Sequence, residues 1–333
     1  MVAQLDSLYI KTRPHKAISR LLSYALFEGR PLTTKGQWIN PIVLSLFSLE
    51  KRLPQLKKVE KPIFIIGTGR SGTTILGVVL SMHKDVGFLN EPKALWHSIY
   101  PEEDLVGSYS RGAARYRLGA EDVTEEISQT AHRLFGAYLT AVASKRVVDK
   151  YPELIFRLPF VLKIFPDAKF IFLVRNGWDT CSSIDRWSQR LGMEVEEETH
   201  DWWGVNNRKW NLLVDQLVAT DPKLKEIAPE IKNCDRHADM AALEWIVTME
   251  EGLRLMQQYP DIIHMLRYED LVSSPESSLT KVLEFAELSS DRQFFDYACQ
   301  TLSPPVEKKP FPLNPAIRPF FEETMNNLGY TVG

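Results

Sequence analysis

One segment constrains the fold of this chain more than any other: a short apolar run, a glycine-rich loop and an apolar helix in direct succession. Residues 63–66 read Ile-Phe-Ile-Ile, and residues 67–74, the phosphate loop, read Gly-Thr-Gly-Arg-Ser-Gly-Thr-Thr. Such an apolar run is typical of a strand buried on both faces of a parallel sheet. Unpaired N–H groups at the start of the following helix make an anion site, which glycines let the anion approach closely. The segment therefore predicts an α/β fold that binds a phosphate-like group.

The loop departs from the nucleotide-binding P-loop at an informative position. Gly67 and Gly72 have the P-loop spacing, but Thr73 stands where NTPases carry lysine, and Arg70 lies inside the loop. In an NTPase that lysine contacts the β- and γ-phosphates, and the next Ser or Thr holds magnesium. The missing lysine argues against ATP or GTP hydrolysis, because amides, hydroxyls and one guanidinium suit a less charged ligand without metal. A glycine-rich turn without a ligand is the alternative.

Strand-like and helix-like stretches alternate along most of the chain, which predicts a central, mainly parallel sheet flanked by helices. Further strands are predicted at residues 86–88, 146–148, 170–174 and 262–266, and helices at residues 121–144, 152–165, 180–190, 237–259 and 275–286. The expected organisation is an N-terminal helical extension (residues 1–60) packed on one domain (61–333), with an inserted helical or loop lid (191–235) and a C-terminal tail (302–333) wrapping the surface.

Composition narrows the class of protein. The chain has 333 residues, 44% of them hydrophobic, which is enough for one large domain with an appended lobe. A formal net charge of -3 gives no argument for nucleic-acid binding or membrane insertion. No apolar run reaches the roughly 18 residues of a spanning helix, and the N-terminus lacks a signal-peptide pattern. Three scattered cysteines predict reduced thiols in the cytoplasm and no zinc site. Composition leaves a monomer and a homodimer equally open.

A second anion site is predicted where another buried strand ends. Residues 169–174 read Lys-Phe-Ile-Phe-Leu-Val, Arg175 follows, and the next helix carries Ser182 and Ser183. Ligands in open α/β sheets bind at the carboxyl edge of the strands, so the arginine and a serine of the first helical turns can converge on one phosphate. The alternative is a surface arginine that pairs with Asp179.

In this order and about 100 residues apart, the two motifs resemble the sulfotransferase family that uses 3′-phosphoadenosine 5′-phosphosulfate (PAPS). The chain looks similar to bacterial small-molecule tailoring sulfotransferases, with a motif layout similar to the tyrosylprotein and carbohydrate branches. Residues 148–152 resemble the family's Lys-x-Pro element, with Tyr151 where Thr or Asp is commoner, and residues 267–272 match a late family signature. The resemblance covers roughly residues 60–290.

The resemblance implies a role for each matching residue, with PAPS as the donor, 3′-phosphoadenosine 5′-phosphate (PAP) as the product and no metal. The 5′-phosphosulfate would be held by the loop residues Arg70, Ser71, Gly72, Thr73 and Thr74. The 3′-phosphate would be held by Arg175 and Ser183, and Tyr268 would lie near the nucleotide. Lys308 or Lys309 of the tail would close over the phosphates.

Catalysis by this family implies a cation at the leaving group and a base at the acceptor. Lys150 resembles the lysine that relatives use for the first role. For the base we favour Glu91, which follows a predicted strand, and the alternative is a carboxylate that only stabilises a helix N-terminus. Glu91 would need a raised pKa or a close contact to act on a hydroxyl. His97 is the rival base, and His200 and Asp201 are further possibilities.

Acidic and aromatic residues of the inserted segment predict where the acceptor binds. Glu198, His200, Trp202 and Trp203 would hold a cationic acceptor through cation–π contact and charge pairing. A solvated loop whose tryptophans close on the core is the alternative. An anionic acceptor would instead suit Tyr109, Arg111, Arg115 and Arg117.

The sequence thus predicts an enzyme that transfers a sulfuryl group from PAPS to a hydroxyl or amine of a small molecule, such as a cationic natural product. A carbohydrate or tyrosyl O-sulfotransferase is the alternative within the family. Outside it, a nucleotide kinase or a non-catalytic PAPS- or PAP-binding protein stays open.

Overall fold

The five apolar runs form one fully parallel sheet in the computed structural model, which describes residues 2–195, 197–304 and 309–331. The strands are β1 (Ile63–Gly67), β2 (Val86–Asn90), β3 (Arg146–Lys150), β4 (Lys169–Val174) and β8 (Ile263–Arg267). They lie in the order β2-β3-β1-β4-β8. Every residue of β1 is buried, because the strand pairs with β3 and β4 and has helices on both faces. The predicted α/β fold is confirmed.

Helices cover both faces of this sheet. In chain order they are α1 (Ser7–Thr12), α2 (Pro14–Leu22), α3 (Asn40–Glu50), α4 (Thr73–Ser81), α5 (Lys93–Ile99), α6 (Glu125–Ala141), α7 (Leu158–Ile164), α8 (Gly177–Leu191), α9 (Arg208–Leu213), α10 (Ala228–Ile231), α11 (His237–Gln258), α12 (Tyr268–Ser273), α13 (Pro275–Phe285), α14 (Arg292–Thr301) and α15 (Arg318–Asn327). None of the helices within the described ranges is long and apolar enough to cross a membrane.

Two predicted elements differ from the structure. The helix expected at residues 152–165 is a 3-10 helix (Pro152–Arg157) followed by α7, and Pro159 in the first turn of α7 has no N–H to continue an unbroken helix. The inserted segment, residues 191–235, carries a small antiparallel sheet besides its helices. Its strands are β5 (Met193–Val195), β6 (Glu198–Asp201) and β7 (Gly204–Val205), too short for a periodic pattern to reveal.

The N-terminal helices are fixed to the rest of the molecule by buried cations. Arg13 pairs with Asp291 at 2.5 Å, and Lys16 Nζ donates to the carbonyl of Val86 at 2.6 Å. Arg20 pairs with Glu28, which also accepts a hydrogen bond from the backbone N–H of Asn90 at 2.8 Å. These contacts lead from the N-terminal helices to the end of β2.

The carboxyl ends of the strands bring the chemically active segments to one edge. The phosphate loop follows β1, Glu91 follows β2, and Lys150 ends β3. Arg175 follows β4, and Tyr268 follows β8. Since parallel strands end at the same side of a sheet, the topology alone places these residues around one crevice.

Candidate active site

The phosphate loop takes a shape that its glycines make possible. Gly67 has a φ of 139°, and a Cβ there would lie 2.6 Å from the carbonyl oxygen of Leu173. Gly72 has a φ of 100°, and a Cβ there would lie 2.3 Å from the ring of Tyr268. Arg70 also has a positive φ, 67°. Left-handed residues of this kind turn successive N–H groups inward, as an anion requires.

Arg175 lies beside this loop in a fixed position. Its Nη1 donates to the carbonyl of Arg70 at 3.5 Å, and its Nη2 donates to Asp179 at 3.3 Å. The guanidinium carbon lies 4.5 Å from the centre of the Tyr268 ring. Arg175 Nε is buried and has no hydrogen-bond partner among the residues described. A buried donor without a partner fits a site that receives an anion.

The residues predicted to bind the donor come together. Arg70 Nε donates to Ser183 Oγ at 3.2 Å, so the loop and α8 touch. Ser183 also shares a cleft with Arg70, Arg186 and Arg190. Arg186 and Arg190 are not among the residues predicted from the sequence, although Ser183, Arg186 and Arg190 have the i, i+3, i+7 spacing of one helix face. The cleft therefore gathers three guanidinium groups and one hydroxyl.

Glu91 and Lys150 form an ion pair at the neighbouring strand ends. Lys150 Nζ donates to Glu91 Oε1, and the Glu91 N–H donates to the Lys150 carbonyl at 2.7 Å. The Lys150 side chain is 2% exposed and that of Glu91 38%. Glu91 has a φ of 50°, a left-handed backbone that aims its side chain back at Lys150.

The pKa of Glu91 differs from the first of the two conditions named for a base, a raised pKa or a close contact. Burial opposes its ionisation, but the ammonium groups of Lys150 and Lys93 outweigh that effect and hold its pKa below the ordinary value. The raised pKa expected of a base is therefore wrong for this carboxylate. Glu91 lines a cavity, so the other condition, a close contact with the acceptor hydroxyl, stays a prediction.

This cavity has a volume of about 250 Å³ and lies between the strand ends, the inserted segment and residues 24–34 of the N-terminal extension. It reaches from Gly69 of the phosphate loop to Glu91. Its other walls include the charged residues Lys93, Glu153 and Lys209. They also include two tryptophans and two valines, Trp187, Trp202, Val106 and Val205. The rings of Trp187 and Trp202 meet edge to face with centres 5.3 Å apart.

The inserted segment divides between the cavity and the core. Trp202 and His200 line the cavity, and a Cβ on Gly69 would lie 2.4 Å from the Trp202 ring. Trp203 is fully buried and donates its indole N–H to His237 at 2.9 Å, so the structure does not bring it to the cavity. Glu198 pairs with Arg111 at 2.8 Å and His200 at 3.1 Å instead of lining the cavity.

Three further predicted residues lie away from the cavity or beyond what is described. His97 is not among the lining residues, because its ring stacks on Tyr109 and its Nδ1 contacts the carbonyl of Pro101 at 3.1 Å. Lys309 is exposed, and Lys308 lies outside the described residues. Asp201, the last base candidate, lines the cavity but accepts a hydrogen bond from the N–H of Trp203 at 2.8 Å.

The arginines that suggested an anionic acceptor are used in ion pairs. Arg115 pairs with Asp122 at 2.5 Å, and Arg117 pairs with Glu251 at 2.7 Å. Within the described ranges no three His, Cys, Asp or Glu side chains gather closely enough to hold a metal ion.

Comparison with known proteins fits this geometry. The model of the sulfotransferase family matches residues 62–227, which include the phosphate loop, Glu91, Lys150 and Arg175. The chain belongs to the sulfotransferase family.

Relatives of this sulfotransferase include a protein-tyrosine sulfotransferase of Drosophila melanogaster and the nodulation protein NoeE of Sinorhizobium fredii. The first is 30% identical over 231 residues, 68% of this chain and 38% of the relative. The second is 27% identical over 225 residues, 66% of this chain and 48% of the relative. The matched part thus spans less than half of either relative.

A solved structure shows the same fold. The sulfotransferase STF9 from Mycobacterium avium superposes with a TM-score of 0.51 at 12% identity, over 99% of this chain and 98% of that one. At this identity the likeness concerns the fold alone.

Proposed function

We propose that this sulfotransferase transfers a sulfuryl group from PAPS to a hydroxyl or amine of a small-molecule acceptor. The observation that carries the proposal is the Glu91–Lys150 pair, because Glu91 lines a cavity large enough for an acceptor together with Gly69 of the phosphate loop. Within the pair Glu91 is partly exposed, so an acceptor can reach it, whereas Lys150 is buried. A cytoplasmic enzyme of natural product biosynthesis remains our prediction from the sequence.

The residues at the carboxyl edge fit the two anionic ends of PAPS. Loop amides, hydroxyls and Arg70 suit the 5′-phosphosulfate, and Thr68 Oγ1 there is a buried hydroxyl without a partner among the described residues. The orphaned Nε of Arg175 and the hydroxyl of Ser183 suit the 3′-phosphate. PAPS supplies the sulfuryl group, and PAP leaves.

The chain's own groups divide the work of an in-line displacement. The acceptor oxygen or nitrogen forms a bond to sulfur while the bond from sulfur to the bridging phosphate oxygen breaks. Glu91 takes the acceptor's proton, and Lys150 with the loop stabilises the negative charge on the departing oxygen. Because Lys150 holds the Glu91 carboxylate ionised, the base is ready to accept a proton at neutral pH.

The cavity weakens the case for a cationic acceptor. The ammonium of Lys209 already lies 4.8 Å from the centre of the Trp202 ring, so that ring has a cation of its own. Positive and negative side chains alternate along the wall, which favours a neutral hydroxyl compound. Sugar and tyrosyl hydroxyls remain within this class, and one relative is named as a protein-tyrosine sulfotransferase.

The proposal is tested with purified protein, PAPS and a broad acceptor panel, followed by mass spectrometry of the products. Glu91→Gln should lower kcat by about 10²- to 10⁴-fold, the usual contribution of a general base. Calorimetric affinity for PAP should stay unchanged, and Glu226→Gln, an exposed carboxylate, is the matched control. PAP binding without transfer would make the protein a binder, whereas magnesium-dependent use of ATP would make it a kinase.

A further inference from the structure

Six buried or half-buried charges of alternating sign lead away from the phosphate loop. From Lys150 and Glu91 the series continues through Lys93, 3.8 Å from Glu91, to Glu153, 3.8 Å from Lys93. It ends with Lys209, 3.4 Å from Glu153, and Glu244, 2.5 Å from Lys209. We name these residues the charge chain. Apart from Glu91, each side chain is at most 12% exposed.

The far end of the charge chain fixes the inserted segment. Glu244 of α11 accepts the indole N–H of Trp202 at 2.6 Å, and the Lys209 N–H donates to the Trp203 carbonyl at 2.7 Å. The Trp202 ring in turn lies against Gly69 of the phosphate loop. One connected set of contacts therefore joins the ring that covers the loop to the carboxylate that faces the acceptor.

We propose that Lys93, Glu153 and Lys209 are positioning residues that hold the Glu91 carboxylate and join it to the segment carrying Trp202. The proposal rests on the proposed function, because it gives these residues their effect through the base. Lys209 and Glu153 need not touch the acceptor to act in this way. Lys93 is shared between Glu91 and Glu153 at equal distance, so any change in Glu153 alters how strongly Lys93 holds Glu91.

The charges support this shared arrangement. Burial disfavours the Glu153 carboxylate, but Lys93 and Lys209 outweigh that effect and lower its pKa to about 2. Burial likewise opposes the charged form of Lys93, and Glu153 and Glu91 together raise its pKa. Each carboxylate thus competes with the other for the same ammonium group.

Other charged groups near Glu91 are left unchanged by the test. Lys150 of β3 contacts Glu91 directly, and Arg70 approaches it from the phosphate loop. Glu28, near the end of β2, is already paired with Arg20. His200, Asp201 and Arg30 line the same cavity as Glu91.

Two variants alter the charge chain in opposite directions while leaving every remaining charge a partner. In Glu153→Gln, Lys93 keeps Glu91 as its ion-pair partner and Lys209 keeps Glu244. Because Lys93 then interacts with Glu91 alone, the pKa of Glu91 should fall. In the double variant Lys209→Met with Glu244→Gln, Lys93 is the one ion-pair partner of the charge chain that Glu153 keeps. Glu153 then attracts the Lys93 ammonium more strongly and away from Glu91, so the pKa of Glu91 should rise. We expect the two variants to differ by about one pH unit, a tenfold difference in proton affinity.

The direct measurement is a ¹³C-carboxyl NMR titration of protein labelled at glutamate, with the Glu91 signal assigned by its loss in Glu91→Gln. The acid limb of kcat/KM against pH is the kinetic counterpart, because it reports the base of the free enzyme. Lys225→Met with Glu226→Gln removes an exposed pair of the same charges and should shift neither readout.

Opposite shifts support the positioning role, and a purely structural role would move neither titration. Unmoved titrations, or shifts in the same direction, would overturn the proposal. If one variant fails to fold, as thermal unfolding would show, the sign of the other still decides. If the wild type sulfates no acceptor, the NMR shifts still test the charge chain, so failure of the proposed function is seen separately.

Discussion

The proposed donor side and the proposed acceptor side of the crevice are built in different ways. The donor side consists of the phosphate loop and α8, each of which directly follows a strand of the central sheet. The acceptor side draws on residues 24–34 of the N-terminal extension, the end of β2, the 3-10 helix after β3, the inserted segment and α11. The donor side therefore joins two segments that are each local in sequence, whereas the acceptor side needs five separate parts of the chain to pack together.

The two sides also treat charge differently. Arg70, Arg186 and Arg190 line one cleft with no carboxylate among its described lining residues, an arrangement that suits an anionic ligand. On the acceptor side each cation of the charge chain already has a carboxylate. If the proposed function holds, we expect the donor to be selected by charge, and the acceptor by its shape and by how closely it approaches Glu91.

The largest effect should come from the shape of the phosphate loop. Gly72→Ala places a Cβ in a left-handed residue and 2.3 Å from the Tyr268 ring. We expect the affinity for PAP to fall more than about 100-fold, because both the loop and Arg175, which stacks on Tyr268, must move.

Gly36→Ala is the matched control for this substitution. Gly36 has a similar φ, 91°, but a Cβ there would meet nothing within 4 Å. Backbone strain should lower the free energy of unfolding by about 1 kcal/mol in both variants. Gly72→Ala should lose more than this, because its Cβ also collides with the Tyr268 ring. Calorimetry with PAP and thermal unfolding separate the two effects, and equal PAP affinity in both variants would contradict the role of the loop.

An intermediate effect should come from the second anchor of the donor. Arg175→Ala removes the guanidinium whose Nε has no partner among the described residues. A hydrogen bond to a charged group contributes about 1.5–3 kcal/mol, so PAP should bind about 10- to 100-fold more weakly. The loss should shrink at high salt, since screening weakens partly exposed charges.

Arg208→Ala is the control, because the Arg208 Nε is likewise buried without a partner among the described residues, but this side chain lines neither the cavity nor the arginine cleft. Its other guanidinium nitrogens donate to the carbonyl groups of Arg111 and Gly112. Its PAP affinity, measured in the same titration, should match the wild type. If Arg175→Ala bound PAP as tightly as Arg208→Ala, the 3′-phosphate would have to lie elsewhere.

How far the sequence predicts each side follows from this difference. Apolar runs predicted the five parallel strands to within three residues at each end, because a buried strand leaves a continuous hydrophobic signal. The order of parallel strand ends then places Arg70, Lys150 and Arg175 at one edge. The contact between Arg70 and Ser183 could be expected on these grounds alone.

The acceptor side left no comparable signal. In the sequence, Lys93 and Glu153 are an ordinary lysine and an ordinary glutamate, each next to a proline. Only the packed structure shows that the two side chains form an ion pair. The sequence predicts an acceptor contact for Trp203 as well as for Trp202, but these adjacent residues of the turn between β6 and β7 lie in different surroundings, and Trp203 is fully buried. For two neighbouring tryptophans, the sequence alone cannot tell which one lines the cavity and which one lies in the core.

The smallest effect should come from the ring that joins the two sides. Trp202→Phe keeps an aromatic ring over Gly69 but removes the N–H donated to Glu244 at 2.6 Å. A hydrogen bond to a carboxylate is worth up to about 3 kcal/mol, but Glu244 keeps Lys209 as its partner, so most of that loss is recovered. We expect KM for the acceptor to rise about threefold to tenfold, with PAP affinity within twofold of the wild type.

Trp38→Phe, at a tryptophan of the N-terminal extension that is 76% exposed, is the control for this substitution. A PAP affinity that fell as much as acceptor KM rose would show that Trp202 belongs to the donor side, and the division between the two sides would fail at this residue.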